Sequence, residues 1–501
     1  MATTASTISI PDAPQADGVV SRRRPLTAHV GAFAVGHDSY WPQFDGLLDE
    51  LMRGHRVLVD RLASFGVQTT DFGMADDAES AYAMVQRLRA ADLDLIVCNM
   101  VTYATSATWG IIAREIDTPI VLVGLQPLAA LDYDRANTYM QLCNDNICAI
   151  PEFTGVSVRM GKAAPPCVIG HLHDDPQADA ELREWCDIAR VLHDLKGARF
   201  GQMGHALEAM LDMHHDPTMF TAGFGLHVVM CEPDDVMRHY QAVTETQIAV
   251  KSREILGFFD TPAPQSDPIT RKLTDADLAE ASRVAVALDA FIKDKNLDGL
   301  AYYYEASEGS DMRRLVTNFI VGNSLLTAAG FPMCGENDLK TCVAMMILDR
   351  LGIGGSFAEF HPVDFKEGFV LVGHDGPHHL NIADGKPVLR SLTKYHGKPG
   401  AGASVEFKIK EGPITMLGIT QTADGRFKFV TAEGESAAGP IPPTGNTNTR
   451  GFFEPDVRTF LKRWFAQGPT HHFALGVGHH AQTIVKLAGV LGIECAVVET
   501  Q

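Results

Sequence analysis

The stretch 93–125, LDLIVCNMVTYATSATWGIIAREIDTPIVLVGL, decides the fold. It holds two nearly continuous apolar runs, Leu93–Cys98 and Pro119–Leu125, on either side of a helical segment, Thr105–Ile116. Strands apolar along their whole length are buried on both faces, and strand–helix–strand order makes them parallel. Only Asp94 interrupts the first run. Upstream, His29–Val35 and Val67–Phe72 read as further strands and Ala78–Ala91 as a helix. A second helix covers Phe44–Leu62, with Phe44, Leu47, Leu48, Leu51, Leu58, Val59 and Leu62 close to a 3.6-residue period.

A second block of the same texture follows. Cys167–His171, Arg199–Gly204, Leu226–Glu232 and Gly299–Tyr304 read as strands. Ala178–Leu195, Pro233–Ile255, Asp275–Lys293, Met312–Ala329 and Asp338–Leu351 read as helices. After Gly352 the texture changes. Phe369–Gly373, Ala403–Lys410, Ile414–Gln421 and Phe427–Ala432 are short and separated by Gly, Pro or Asp-Gly, which marks an antiparallel sheet or barrel. Residues 434–450 read as a long loop; a helix Glu454–Phe465, a strand Phe473–Val477, a helix Ala481–Leu491 and a strand Glu494–Glu499 complete the pattern. The expected fold class is α/β: two doubly wound α/β domains, 26–170 and 171–330, and a β-rich, barrel-like C-terminal domain, 331–501. Residues 1–25 are expected to be a disordered tail. Arg22-Arg23-Arg24-Pro25 precedes an apolar stretch, but that stretch carries His29 and lacks a small-residue cleavage site, so a secretory or twin-arginine signal is not expected.

Composition narrows the function. The 501 residues are 46% hydrophobic and 21% charged, as in ordinary globular proteins. Acidic residues outnumber basic ones 62 to 42, a charge of −20 that repels phosphate backbones and anionic lipids. Neither nucleic acid nor membrane is an expected partner. The nine cysteines contain no CxxC pair, which excludes a thiolate zinc site or a disulfide framework and suits a reducing cytoplasm.

The chemistry lies in carboxylates and histidines at element ends. Eight of the twenty histidines stand in adjacent pairs, His214-His215, His378-His379, His471-His472 and His479-His480. His479-His480 follows an apolar strand and opens a helix, and in open α/β sheets ligands bind at the carboxyl ends of strands. Glu305 follows Gly299–Tyr304, Glu336 stands in Gly335-Glu336-Asn337-Asp338 before a helix, and Asp364 enters the β-rich region. Two Glu, one Asp and one His would suit Mn²⁺, Mg²⁺ or Co²⁺. Gly476-Val477-Gly478-His479-His480-Ala481 also matches GxGxxA, but a histidine pair at that turn would crowd a pyrophosphate.

At these residues the chain resembles the L-arabinose isomerase and L-fucose isomerase superfamily. Gly335-Glu336-Asn337-Asp338-Leu339-Lys340-Thr341 is similar to the family's GEGDWKT segment. Gly355-Ser356-Phe357 with Asp364-Phe365-Lys366-Glu367-Gly368 resembles the stretch carrying its third metal ligand, an Asp as in the fucose isomerases, and Gly476–His480 resembles the segment of its ligand histidine. The resemblance implies Glu305, Glu336, Asp364 and His480 as metal ligands and Glu305 and Glu336 as the acid/base pair. Asp338 and His479 would support those ligands, and Lys340, His374, His37 and Gln126 would contact the sugar. It also implies a Mn²⁺-type cofactor and a homotrimer or homohexamer in which a neighbouring subunit completes the pocket. The sugar-reading segments around His37 and Gln126 depart from the arabinose isomerase pattern. The expected activity is aldose–ketose isomerisation through an enediol. The alternatives are an epimerase or other enolising enzyme on a modified sugar, and a sugar-binding protein without catalysis.

Overall fold

The computed structural model describes residues 20–264, 269–395, 398–442 and 448–498. They form two compact units: Leu26–Asp194, and the residues before Leu26 together with those from Leu195 onward.

The first unit is a five-stranded parallel sheet. Its spatial order is Gln68–Ala75, His29–Val35, Leu95–Met100, Ile120–Gln126 and Cys167–His171. Leu95–Met100 is buried throughout, as its apolar run requires. Asp94, the polar residue at the start of that run, is buried too, and accepts hydrogen bonds from the His29 amide (2.7 Å) and the His193 ring (2.9 Å). One sequence reading is corrected here. Cys167–His171 does not open the second block: it pairs with Ile120–Gln126 and closes the first sheet, and the following helix, Pro176–Leu195, runs to the end of the same unit. A five-residue strand, CVIGH, carries no mark of which sheet it will join.

The second unit contains a four-stranded parallel sheet ordered Met333–Cys334, Gly299–Tyr302, Arg199–Met203, His227–Cys231. The single helix read over 233–255 is two, Pro233–Ala242 and Glu245–Phe258, because Thr244 forms a capping box with Gln247 and starts a new helix there. The C-terminal strands close into a six-stranded antiparallel barrel. Gly354–Asp364 pairs with Phe369–Gly373 and with Phe473–Val477, Gly412–Gln421 with Phe473–Val477 and with Phe427–Ala437, and Thr449–Phe452 with Phe369–Gly373 and Phe427–Ala437. Closure removes the exposed edges an open sheet would leave. The stretch read as a loop over 434–450 is partly strand at both ends, and residues 443–447 lie outside the described residues.

Between the parallel sheet and the barrel runs the helix Leu339–Arg350, all twelve residues buried. Its sequence, LKTCVAMMILDR, shows no polar stripe because it has no solvent face. The barrel comes against it at Gly355, whose φ is +108° and where a Cβ would stand 2.5 Å from the Met345 carbonyl oxygen. Gly355→Ala is therefore expected to destabilise by about 3 kcal/mol or more, from backbone strain plus overpacking. Gly489→Ala, in the helix Ala481–Leu491 with nothing within 4 Å of the new methyl, is expected to be neutral or stabilising. Urea unfolding of the two variants checks the contrast.

Residues 1–19 of the tail lie outside the described residues, but Val20–Arg24 are docked on the second unit rather than free. The Val20 amide donates to Asn381 Oδ1 (2.9 Å), Arg22 forks onto both oxygens of Asp349 (3.0 and 2.6 Å), and the Arg23 amide donates to the Ala329 carbonyl (2.9 Å). Burial alone would raise the Asp349 pKa. The hydrogen bonds from His379 and Arg22 and the charge of Arg350 outweigh it and hold the carboxyl well below the usual range. A depressed carboxylate contributes stability above its unfolded pKa of about 3.9 and loses it as pH falls further. The melting temperature of the protein is thus expected to drop more steeply below about pH 4 than that of Asp349→Asn, although the variant melts lower at pH 7. Parallel acid slopes would refute this contribution.

All nine cysteines are free thiols. Among the described residues no helix is long and apolar enough to cross a membrane.

Candidate functional site

The site is built around one turn. Gly335-Glu336-Asn337-Asp338 connects the edge strand Met333–Cys334 to the buried helix, with Glu336 and Asn337 both left-handed at φ +58° and +60°. Two consecutive non-glycine residues in that region cost roughly 1–3 kcal/mol each and need strong local support. Asn337 supplies it: its amide N–H donates to the Tyr302 carbonyl (2.9 Å) and its side chain to the Met203 carbonyl (3.2 Å), at the carboxyl ends of two parallel strands. Asp338 caps the helix, accepting from the Thr341 amide (3.1 Å) and hydroxyl (2.8 Å). The Glu336 carboxylate is left buried, 6% exposed, at the edge of the sheet.

Two histidines from the barrel face that carboxylate. His472 precedes the strand Phe473–Val477, and Phe473 is registered against Ala358. His374 follows the strand Phe369–Gly373, and Gly373 is registered against Glu359. The two imidazoles therefore emerge at one end of the barrel, with Phe357 packed 4.4 Å from each ring. His472 Nε2 lies 3.6 Å from Glu336 Oε2, and His374 Nε2 lies 3.8 Å from Glu336 Oε1. Each ring is pinned through its other nitrogen: His472 Nδ1 on Asp338 Oδ2 (3.1 Å) and His374 Nδ1 on the Asp375 carbonyl (2.8 Å). With Nδ1–H donating in both, both Nε2 atoms are turned toward Glu336, and in the neutral rings these are the nitrogens that carry the lone pair. Beside them, His471 binds Asp212 through its ring (2.6 Å) and its amide (3.0 Å), and its ring centroid is 3.8 Å from that of His472.

Electrostatics follow from this packing. Burial would raise the Asp338 carboxyl, but its hydrogen bond from His472 and the charge of Lys340 hold it well below the usual range. Burial would lower His472, but Asp338, with further help from Glu336 and Glu359, raises it. Burial, then the charges of Glu336 and Glu305, push the Tyr304 hydroxyl up.

The residues expected from sequence fall into groups. Glu336 stands at the centre, with His374 facing it and Asp338 behind His472. Glu305 ion-pairs with Arg313 (3.2 Å). Asp364 is a turn residue: it accepts the amides of Lys366 and Glu367 (both 2.9 Å) in the hairpin loop. It pairs with Phe369 while Gly373 pairs with Glu359, which puts it roughly five residues, or ~16 Å, along the hairpin from His374. His480 lies beyond the opposite end of the strand that begins after His472, where its amide donates to Thr415 Oγ1 (2.9 Å), and His479 contacts Glu435 (3.3 Å). Lys340 is 1% exposed and donates its ammonium to the Met213 (2.9 Å) and His214 (3.3 Å) carbonyls. His37 and Gln126 belong to the first unit, His37 beside Asp38 (3.2 Å) and Gln126 bonded to the Leu128 carbonyl. Sequence reading missed His471-His472. The pair was visible, and the signal was the carboxylate Asp338 two residues beyond Glu336, which demanded a buried cationic or donor partner.

One donor atom each of Glu336, His471 and His472 lie within 4.8 Å of one another. His472 Nε2 is buried and makes no hydrogen bond among the described residues. Around the same carboxylate, the Nε2 atoms of His374 and His472, each ring held through its Nδ1, make with Glu336 a donor set that fits a divalent metal of the Mn²⁺, Co²⁺ or Zn²⁺ type, with His471 beside it on Asp212.

Comparison with known proteins adds to this geometry. Residues 374–499 match the family model described as L-fucose isomerase, C-terminal domain. The match opens at His374 and includes His471 and His472. The chain is 21% identical over 412 residues to an L-arabinose isomerase of Geobacillus thermodenitrificans, covering 80% of each. It is 21% identical over 382 residues to one of Flavobacterium johnsoniae, covering 74% of this chain and 73% of the relative. It is 24% identical over 358 residues to one of Aeromonas hydrophila, covering 69% and 68%. The likeness to the arabinose isomerases thus extends over most of the chain, and that to the fucose isomerases over residues 374–499.

Proposed function

We propose that this chain is a sugar isomerase that interconverts an open-chain aldose and its ketose, with a divalent metal held by Glu336, His374 and His472. The observation that carries the reading is the convergence of His374 Nε2 and His472 Nε2 on the two oxygens of one buried carboxylate, in a chain similar to L-arabinose isomerases along most of its length. Mn²⁺ is the first ion to try, with Mg²⁺ and Co²⁺ next.

Isomerisation removes a proton from C2 of the aldose, passes through an enediol and delivers a proton to C1, while the hydroxyl proton moves from O2 to O1. A bound divalent ion supplies Lewis acidity toward the carbonyl and hydroxyl oxygens. The rest falls to side chains. Glu336 and Glu305 serve as the acid/base pair, and Arg313 fixes the Glu305 carboxylate from one side. Asp338 and the Asp375 carbonyl keep the two imidazoles in the tautomer that leaves Nε2 open. Phe357, packed against both rings, excludes water from their flanks. Sugar reading by His37 and Gln126, assembly as a trimer or hexamer and a cytoplasmic location belong to the same proposal.

The test is a panel of aldoses and ketoses incubated with the Mn²⁺-loaded protein in D₂O and followed by NMR. Deuterium at C1 or C2 with aldose–ketose interconversion is expected for one group of sugars and is lost on chelation. Exchange without interconversion would instead indicate an epimerase, and no exchange with any sugar would overturn the reading.

A further inference from the structure

Lys340 is a charge in an expensive place. It stands in the first turn of a helix with no solvent face, and its ammonium hydrogen-bonds backbone carbonyls, not a carboxylate. Burying an ammonium costs several kcal/mol, and an apolar side chain of similar length would fill the same space without that cost. What the charge holds is specific. The Met213 and His214 carbonyls end the short 3₁₀ turn Leu211–Met213, in which Met213 is buried and Leu211 is 78% exposed. Between them on the chain is Asp212, which grips His471 at both its ring (2.6 Å) and its amide (3.0 Å). The His471 ring in turn lies against His472. An unbroken series of contacts runs from the Lys340 ammonium through one turn of chain to the imidazole that faces Glu336.

We propose that Lys340 is a positioning residue: it clamps the Leu211–His214 turn so that Asp212 holds His471 against His472. The importance of that ring rests on the metal-site reading above, but the clamp itself is present in the protein without metal. The turn joins the strand Arg199–Met203 to the helix Pro217–Phe224, whose Phe220 and Phe224 pack on Phe427 of the barrel, so the Lys340 clamp acts on a short connection already anchored at both ends.

The clamp can be tested on the metal-free protein by amide hydrogen exchange and mass spectrometry, which requires neither activity nor ion. The decisive probe is the His471 amide, protected by Asp212. Lys340→Met is expected to speed exchange at 211–214 and at His471 by tenfold or more, leaving the helix Leu339–Arg350 and the barrel strands as slow as in the parent. Asp212→Ala, a half-exposed change that should not disturb folding, is expected to release His471 to the same extent while sparing 213–214. The double variant should release His471 no further. If Lys340→Met proves too unstable, Lys340→Gln, shorter and neutral, should give a smaller release with the same local pattern. Uniform loss of protection across helix and barrel would reduce Lys340 to a packing role and overturn the proposal. So would an unchanged His471 amide in a Lys340 variant whose 211–214 turn has opened. Mn²⁺ binding by the parent protein, measured separately by calorimetry, shows independently whether the metal-site reading holds.

Discussion

His472→Ala is expected to lower kcat/KM by about 10³-fold or more, roughly 4 kcal/mol of transition-state stabilisation, and to weaken Mn²⁺ binding in parallel. His480→Ala should stay within about threefold of the parent in both. The contrast follows from geometry. His472 Nε2 stands 3.6 Å from Glu336, with its ring orientation fixed by Asp338, whereas His480 caps a surface helix and binds Thr415 through its backbone. The His472 variant will also lose stability, because Asp338 is wholly buried and is left without that partner. Metal titration well below the melting temperature separates the two effects. A His480 variant that loses metal while the His472 variant keeps it would reverse the assignment.

The fold was largely legible because its signals are local. Strands such as Leu95–Met100 and Phe473–Val477 are apolar runs that no other element accommodates, and the change to Gly- and Asp-Gly-punctuated segments marks the barrel. The candidate site was legible only in part, because its side chains come from elements whose pairing the sequence does not state. Glu336 was readable in its turn. The choice between His471-His472 and His479-His480 was not, since the pairs flank the same five-residue strand. The guide that ligands gather at carboxyl ends applies to open parallel sheets. This strand lies in an antiparallel barrel, where its amino end lies beside the carboxyl end of Phe369–Gly373, and there His472 and His374 come against Glu336. The same register separates Asp364 from His374: ten residues apart in sequence, they stand at opposite ends of one hairpin. The burial of Lys340 was not legible either: only the packing of the whole helix between sheet and barrel places its ammonium out of solvent.

Glu336→Gln should abolish turnover, by about 10⁴-fold, while leaving the fold intact. The side chains are nearly isosteric, and the left-handed backbone at 336 and 337 is held by Asn337 on the Tyr302 and Met203 carbonyls, which the substitution does not touch. What disappears is the negative charge between two imidazoles. Its amide can still accept through one oxygen, but its other terminal atom becomes a donor, and neither end can take up a proton. Both roles assigned to Glu336 fail together, so kcat should collapse along with metal affinity while the melting temperature moves little. Asp364→Asn is the matched comparison, since it also neutralises one carboxylate of the same β-rich region. There the loss is confined to a hairpin turn whose amides an asparagine oxygen still accepts, and activity should stay within about twofold. Near-normal turnover in Glu336→Gln, or collapse in Asp364→Asn, would show that the reacting centre is not the carboxylate that His374 and His472 face.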